Sequence, residues 1–144
     1  MCLPAVAICN DTNPLTPRVR DTAAQPPRKV LVATMVHHFA GDLDKRLAEA
    51  VEFIDKAAER AKKDFPARRL DLVVLPETAI QRVNAGSASE ISLPLDHEAV
   101  AAIAEKARAY DTYIALSMAL SEGEKYSNAV VLLDRKGKVA GIYR

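Results

Sequence analysis

The stretch "DLVVLPETAI", Asp71 to Ile80, decides how this chain is read. A short apolar, β-branched run stops at Pro76, and a carboxylate, Glu77, follows at once. Such a continuous run suits a buried strand. Proline fixes φ and removes a backbone donor, so the strand ends there with a stiff exit. In open α/β sheets ligand crevices lie outside the carboxyl ends of strands. A carboxylate held at such an end can serve as a general base. The position alone also fits an ordinary loop glutamate, or one capping a nearby helix, because structural carboxylates are held in the same way.

On the N-terminal side, "KVLVATMV" (Lys29–Val36) reads as an earlier strand of the same continuous type, expected to be covered on both faces, with Gly41 in the turn after it. Asp42 to Phe65 reads as a helix. Leu43, Leu47, Val51, Ile54, Ala58, Ala61 and Phe65 recur at steps of three and four and form one apolar stripe. Asp42 suits the N-cap, Glu52–Lys56 and Glu59–Lys63 are i,i+4 pairs on a solvated face, and Pro66 ends the element. On the C-terminal side, Thr78 to Leu95 is a long connection with Gly86, Ser87, Ser89, Ser92 and Pro94, a length often tied to function. Asp96 is expected to cap a helix reaching about Ala109, with Val100, Ile103, Ala104 and Ala107 inward. "TYIALSMAL" (Thr112–Leu120) reads as a strand, and "YSNAVVLLD" and "KVAGIYR" as a hairpin about "RKG", where Gly137 supplies a positive φ. The predicted order is β-α-β-α-β-β-β, an α/β layer architecture closed by antiparallel strands.

Residues 1–28 read as a flexible, Pro-rich N-terminal arm, since "NDTNPLTPRVRDTAAQPPR" holds four prolines among polar residues without a helical or strand period. The chain of 144 residues is long enough for one small domain. The 144 residues are 49% hydrophobic and 27% charged, a globular composition. Twenty basic residues against nineteen acidic ones create no field for nucleic acid or an anionic membrane, and with 5% aromatics and no Trp there is no stacking platform for single strands. No apolar run reaches the roughly 18 residues of a membrane span, and "MCLPAVAIC" lacks the basic start of a signal peptide, so a cytoplasmic location is expected. Cys2 and Cys9 form no disulfide framework and have no zinc-ligand spacing. His37 and His38, adjacent on an extended chain, point to opposite faces and chelate no common metal; His97 is the only other histidine. Ser117 has no GxSxG context, and the glycines form neither GxGxxG nor a Walker loop. No metal and no cofactor are expected.

Together, "KVLVATMVHHFAGDLDKRL", "DLVVLPETAI" and "YSNAVVLLDRKGKVAGIYR" resemble the first half of the nitrilase, or carbon–nitrogen hydrolase, superfamily. The "LPE" after an apolar strand is one signature; the other is an Asn-containing strand, a D-x-x-G turn and a strand ending in Tyr-Arg. The resemblance implies a partial α-β-β-α sandwich over 29–144 and a small-molecule amide, nitrile or carbamoyl substrate, hydrolysed through a Glu-Lys-Cys triad. Glu77 matches the glutamate. The family's lysine follows the Tyr-Arg pair, here Tyr143-Arg144, and its cysteine belongs to a later strand. Cys2 and Cys9 do not match that motif. The resemblance therefore implies that these residues hold one helical layer and part of two sheets, leave an apolar face without a partner, self-associate in isolation and lack activity alone; the whole enzyme would be a homo-oligomer. Arg46 stands where the family often has Asn, and "KKDFPARRL" is a longer connection than usual. Two other classes remain open: a non-catalytic interaction domain that pairs through an uncovered sheet, and an unrelated small-molecule-binding α/β domain.

Overall fold

The computed structural model describes the backbone of residues 5–9 and, with their side chains, residues 28–37, 40–81 and 86–144. Strand β1 (Ala5–Cys9) is followed by β2 (Val30–Thr34), helix α1 (Leu43–Asp64), β3 (Leu72–Val74), a short α2 (Ala88–Ile91), α3 (Glu98–Ala109), β4 (Tyr113–Glu122), β5 (Lys125–Leu133) and β6 (Val139–Tyr143). They form one six-stranded sheet in the order β1-β2-β3-β4-β5-β6. The central strands β2, β3 and β4 are parallel, and β1, β5 and β6 add to the flanks antiparallel. The described residues thus build one sheet, not the parts of two that the resemblance suggested. From β2 onward the predicted order holds, with α2 as an extra turn of helix inside the long connection.

The expected arm is corrected at one place. "AVAIC" forms β1 and pairs with β2 from Ala5↔Thr34 to Cys9↔Val30, because the open edge of β2 offers a row of unpaired backbone groups. The rest of the arm, 1–4 and 10–27, lies outside the described residues.

Helix α1 begins where expected: Asp42 Oδ1 accepts from Lys45 N at 3.0 Å. It ends at Phe65, whose N–H donates to Ala61 O. The Glu52–Lys56 pair forms at 2.5 Å on its outer face. Its buried face is rotated from the predicted stripe. Ala50, Phe53, Ile54, Ala57 and Ala61 are buried, while Leu43, Leu47, Val51, Ala58 and Phe65 flank them half-buried. Three alanines in the buried row let the helix lie close on the sheet, with Phe53 and Ile54 filling the space between them. In α3, Val100, Ile103, Ala104 and Ala107 are all buried. Its N-cap is His97, not Asp96: His97 Nδ1 accepts from Ala99 N at 3.1 Å.

Crossovers of one hand that step the same way along a sheet leave their helices on one face. The burial agrees. Leu31, Ala33, Val73, Ile114, Leu116, Met118, Val131 and Leu133 join the α1 and α3 residues in a single core. Their neighbours Val32, Val74, Ala115, Val130 and Tyr143 alternate onto the opposite face, which no described element covers; Val130 is 37% exposed and Tyr143 78%. The expectation that the first strand is covered on both faces therefore fails among the described residues: Val30 and Val32 stay half-buried.

Two polar clusters brace the domain away from the strand ends described below. Between the helices, Asp55 accepts from Lys106 Nζ (2.7 and 2.8 Å) and from Tyr110 Oη (2.7 Å). Burial pushes the Asp55 pKa up, but these hydrogen bonds and the Lys106 charge outweigh it and hold it below its ordinary value. The same bond to Asp55, helped by burial and the nearby carboxylate charges, raises Tyr110 to about 12. At the amino ends of the parallel strands, Asp71 accepts from Leu31 N (3.1 Å), Arg28 (2.5 Å) and Arg135 (3.1 Å). Burial again opposes its charge, yet the Leu31 N–H and the two guanidiniums hold the carboxyl below its usual range.

The last hairpin closes on Asp134. Its Oδ1 accepts from Lys136 N (2.8 Å) and Lys138 N (2.9 Å), and its carbonyl accepts from Gly137 N (2.9 Å). Gly137 has φ +69°, as predicted, and a Cβ there would lie 2.7 Å from Ala104 O. The D-x-x-G turn is thus a packing device as well as a turn: it presses on α3.

Candidate active site

The ladder runs past the formal end of β3. Met35 N donates to Val74 O at 3.1 Å, and Leu75 N donates to Ala115 O at 3.0 Å. Pro76 then leaves the sheet, and Glu77 emerges at the carboxyl end of the central strand. Its Oε1 accepts from Asn128 Nδ2 at 2.6 Å, a charge-assisted bond to the carboxylate. Ala129, Val131 and Leu133 of β5 face the core, so Asn128 projects from the opposite face. The carboxylate is therefore steered onto the sheet face that the helices leave open, and it is exposed there.

The backbone after Glu77 is constrained from both sides. Thr78 has φ +50°, an unusual conformation for a β-branched residue, and its Oγ1 donates to Glu77 O at 2.8 Å. From the helix side, Arg46 Nη1 donates to Gln81 O (2.6 Å) and Thr78 O (3.4 Å), while its Nε donates to Gly41 O (3.2 Å). From the sheet side, the buried Gln81 side chain takes the place of a strand residue beside β4. Its Nε2 donates to Ala119 O (2.6 Å) and Ile91 O (3.0 Å), and its Oε1 accepts from Ala119 N (2.8 Å). Leu93 continues that edge, pairing with Leu120 as an isolated parallel bridge. Residues 82–85 of the connection lie outside the described residues.

Glu77 thus stands at the strand end expected for it, beside Asn128. Three residues around it carried no role in the sequence reading. Asn128 was visible only as the Asn of the "YSNAVV" strand, and Arg46 only as a departure from the family pattern; Gln81 gave no signal, since its partners are distant in sequence. The histidines do not gather at the site. His37 Nε2 lies 3.2 Å from Glu49 Oε2, His97 caps α3, and His38 lies outside the described residues. Among the described residues no group of three or more His, Cys, Asp or Glu could hold a metal ion. Cys9 ends β1, and Cys2 lies outside the described residues. Among the described residues no helix is long and apolar enough to cross a membrane.

A half-covered α/β sheet with a tethered carboxylate at a central strand end defines the class of site. Comparison with known proteins narrows it. The family model for carbon-nitrogen hydrolases matches residues 23–144, and the chain belongs to that family. Among solved structures, a carbon-nitrogen hydrolase from Helicobacter pylori G27 matches with a TM-score of 0.61 at 20% identity, over 80% of this chain and 39% of that one. The C. elegans NitFhit protein matches at 0.56 and 20%, over 78% and 26%. An amidase from Nesterenkonia sp. matches at 0.55 and 26%, over 78% and 41%. The first two likenesses speak for the fold alone. The chain spans less than half the length of each of these proteins. No curated protein matches it in sequence.

Proposed function

We propose that these residues supply the general base, and half of the scaffold, of an enzyme that hydrolyses a non-peptide C–N bond in a small amide, nitrile or carbamoyl compound. The observation that carries this reading is the Glu77 carboxylate, tethered 2.6 Å from Asn128 Nδ2 at the carboxyl end of the central parallel strand. The likeness to the Nesterenkonia amidase favours amides within that range. A mutant of that amidase carries acrylamide added at its active site cysteine, which supports a thiol as the nucleophile in the whole enzyme.

In this scheme Glu77 takes the proton of a cysteine thiol, and the thiolate attacks the substrate carbon. A lysine next to Tyr143-Arg144 in the family pattern steadies the developing oxyanion. The C–N bond breaks, the leaving amine departs with the proton held by Glu77, and an acyl thioester remains. Glu77 then takes a proton from water, the hydroxide releases the acid, and the thiolate recovers the proton. A base without the family's cysteine and lysine performs none of these steps, and neither Cys2 nor Cys9 matches that cysteine, so the 144 residues alone are expected to be inactive. By this reading the whole enzyme works in the cytoplasm, in keeping with two cysteines and no disulfide framework in these residues, and, on the resemblance to the family, as a homo-oligomer.

The test is the product of the coding sequence read on past Arg144, assayed for ammonia release from amides, nitriles and N-carbamoyl compounds. Release abolished by E77Q supports the reading; release indifferent to E77Q overturns it, as does Glu77-dependent turnover by the 144 residues alone. The open sheet face with Val130 and Tyr143 favours a second reading, a non-catalytic domain that pairs with another chain. A stop codon directly after Arg144 would point to it.

A further inference from the structure

We infer that Arg46 is a positioning residue for Glu77: its forked guanidinium clamps the turn that carries the carboxylate, and thereby keeps Glu77 in register with Asn128. Glu77 and Asn128 lie 51 residues apart, and their contact closes a ring. From Glu77 the chain runs through Thr78 to Gln81; the Gln81 side chain holds Ala119; Ala119 is the register partner of Asn128; and Asn128 returns to Glu77. The weak point of the ring is the turn itself, where Thr78 sits at φ +50°. A β-branched residue persists there only when its surroundings over-determine it.

Arg46 supplies that restraint from outside the ring. It stands in the first turn of α1, its own N–H bonded to Asp42 O. One edge of the guanidinium donates to Gly41 O, in the turn after β2, and the other to Gln81 O and Thr78 O, in the turn after β3. The two turns at the strand ends are thereby set against each other and against the helix. A rigid fork with several donors can bridge two carbonyl sites at once; an ammonium on a flexible stem is a point donor and cannot span them in the same geometry. This residue is the one at which the chain departs from the family pattern in the first helix, so the departure has a structural use.

The inference rests on the proposed role of Glu77, but its test reads the hydrogen bond and not turnover. The probe is the Asn128 side-chain amide of the isotope-labelled 144-residue chain, and the readout is the NMR shift of that amide when E77Q is introduced. In the native background E77Q shifts the amide resonance, because the bond loses its charged acceptor. R46M keeps the aliphatic stem and removes every donor; it is expected to shrink that shift to less than about half, because a charge-assisted bond is lost when its geometry loosens. K56A, which breaks the Glu52–Lys56 pair on the same helix, is expected to leave it unchanged. Should R46M not fold, R46K carries the same test, with a reduced shift expected. An Asn128 shift equal to the native one in either folded variant overturns the inference, whereas ammonia release indifferent to E77Q in the longer product overturns only the catalytic reading.

Discussion

Replacing Gln81 with Met keeps the length and unbranched shape of the side chain and removes all its hydrogen bonds. Gln81 is 3% exposed and makes three bonds, two to Ala119 and one to Ile91 O. The largest loss is at Ala119 N, which gives up the Oε1 acceptor; a buried donor left without a partner costs about 1–3 kcal/mol. Ala119 O keeps its bond from Leu93 N, so the two carbonyl contacts contribute less, about 0.5–1 kcal/mol each. The sum is roughly 3 kcal/mol. At this chain length about 3–4 °C accompanies each kcal/mol, so Q81M is expected to lower Tm by about 10 °C. The assay is thermal unfolding followed by far-UV circular dichroism. Q81E sharpens it. Its carboxylate would face the carbonyls of Ala119 and Ile91, so the folded state favours the protonated form and raises the pKa above the unfolded value of about 4.3. A raised folded pKa contributes stability that is whole below that pH and lost as pH rises, so the deficit of Q81E against the native chain must widen from about pH 4 to pH 7. A fall in Tm of less than about 3 °C in Q81M, or a Q81E deficit independent of pH, would refute the view that Gln81 stands in for a strand residue.

The remaining predictions concern the bracing. G137A is expected to cost about 2–4 kcal/mol by urea midpoint with an unchanged slope, since it adds a left-handed penalty to a Cβ 2.7 Å from Ala104 O. G123A, at φ +64° with nothing within 4 Å of the new Cβ, should cost only about 1–2 kcal/mol. Spectrophotometric titration should find a tyrosine ionising at about 12 that Y110F removes. Because that folded pKa lies above the unfolded value of about 10, the contribution of the Tyr110–Asp55 contact is full below pH 10 and lost between there and the folded pKa. Asp71 has the opposite sign. Its folded pKa is lowered, so its stabilisation is full above about pH 3.9 and lost as pH falls through the folded value. D71N should therefore flatten the acid limb of stability against pH and cost about 1–3 kcal/mol near neutrality.

What the residues alone determined is whatever depends on near neighbours. The start of α1 at Asp42 and its end at Phe65 follow from a cap and a proline within a few positions. The Asp134–Gly137 turn follows from one carboxylate reaching N–H groups two and four residues on. The exit of β3 at Pro76 and the stand of Glu77 just beyond it are legible for the same reason. Tertiary structure decided the rest. "AVAIC" is a strand only because β2 offers an edge, and α1 buries its alanines only because a sheet lies close beneath it. His97, not Asp96, caps α3 because the entry angle of the chain aims its ring at Ala99 N. The contacts that hold Glu77, from Asn128 51 residues away, from Arg46 to Gln81 over 35 and from Gln81 to Ala119 over 38, join segments with no local reason to meet. Hydrogen bonds of this kind are specified by donor geometry in the folded chain, and no period or spacing along the sequence encodes them.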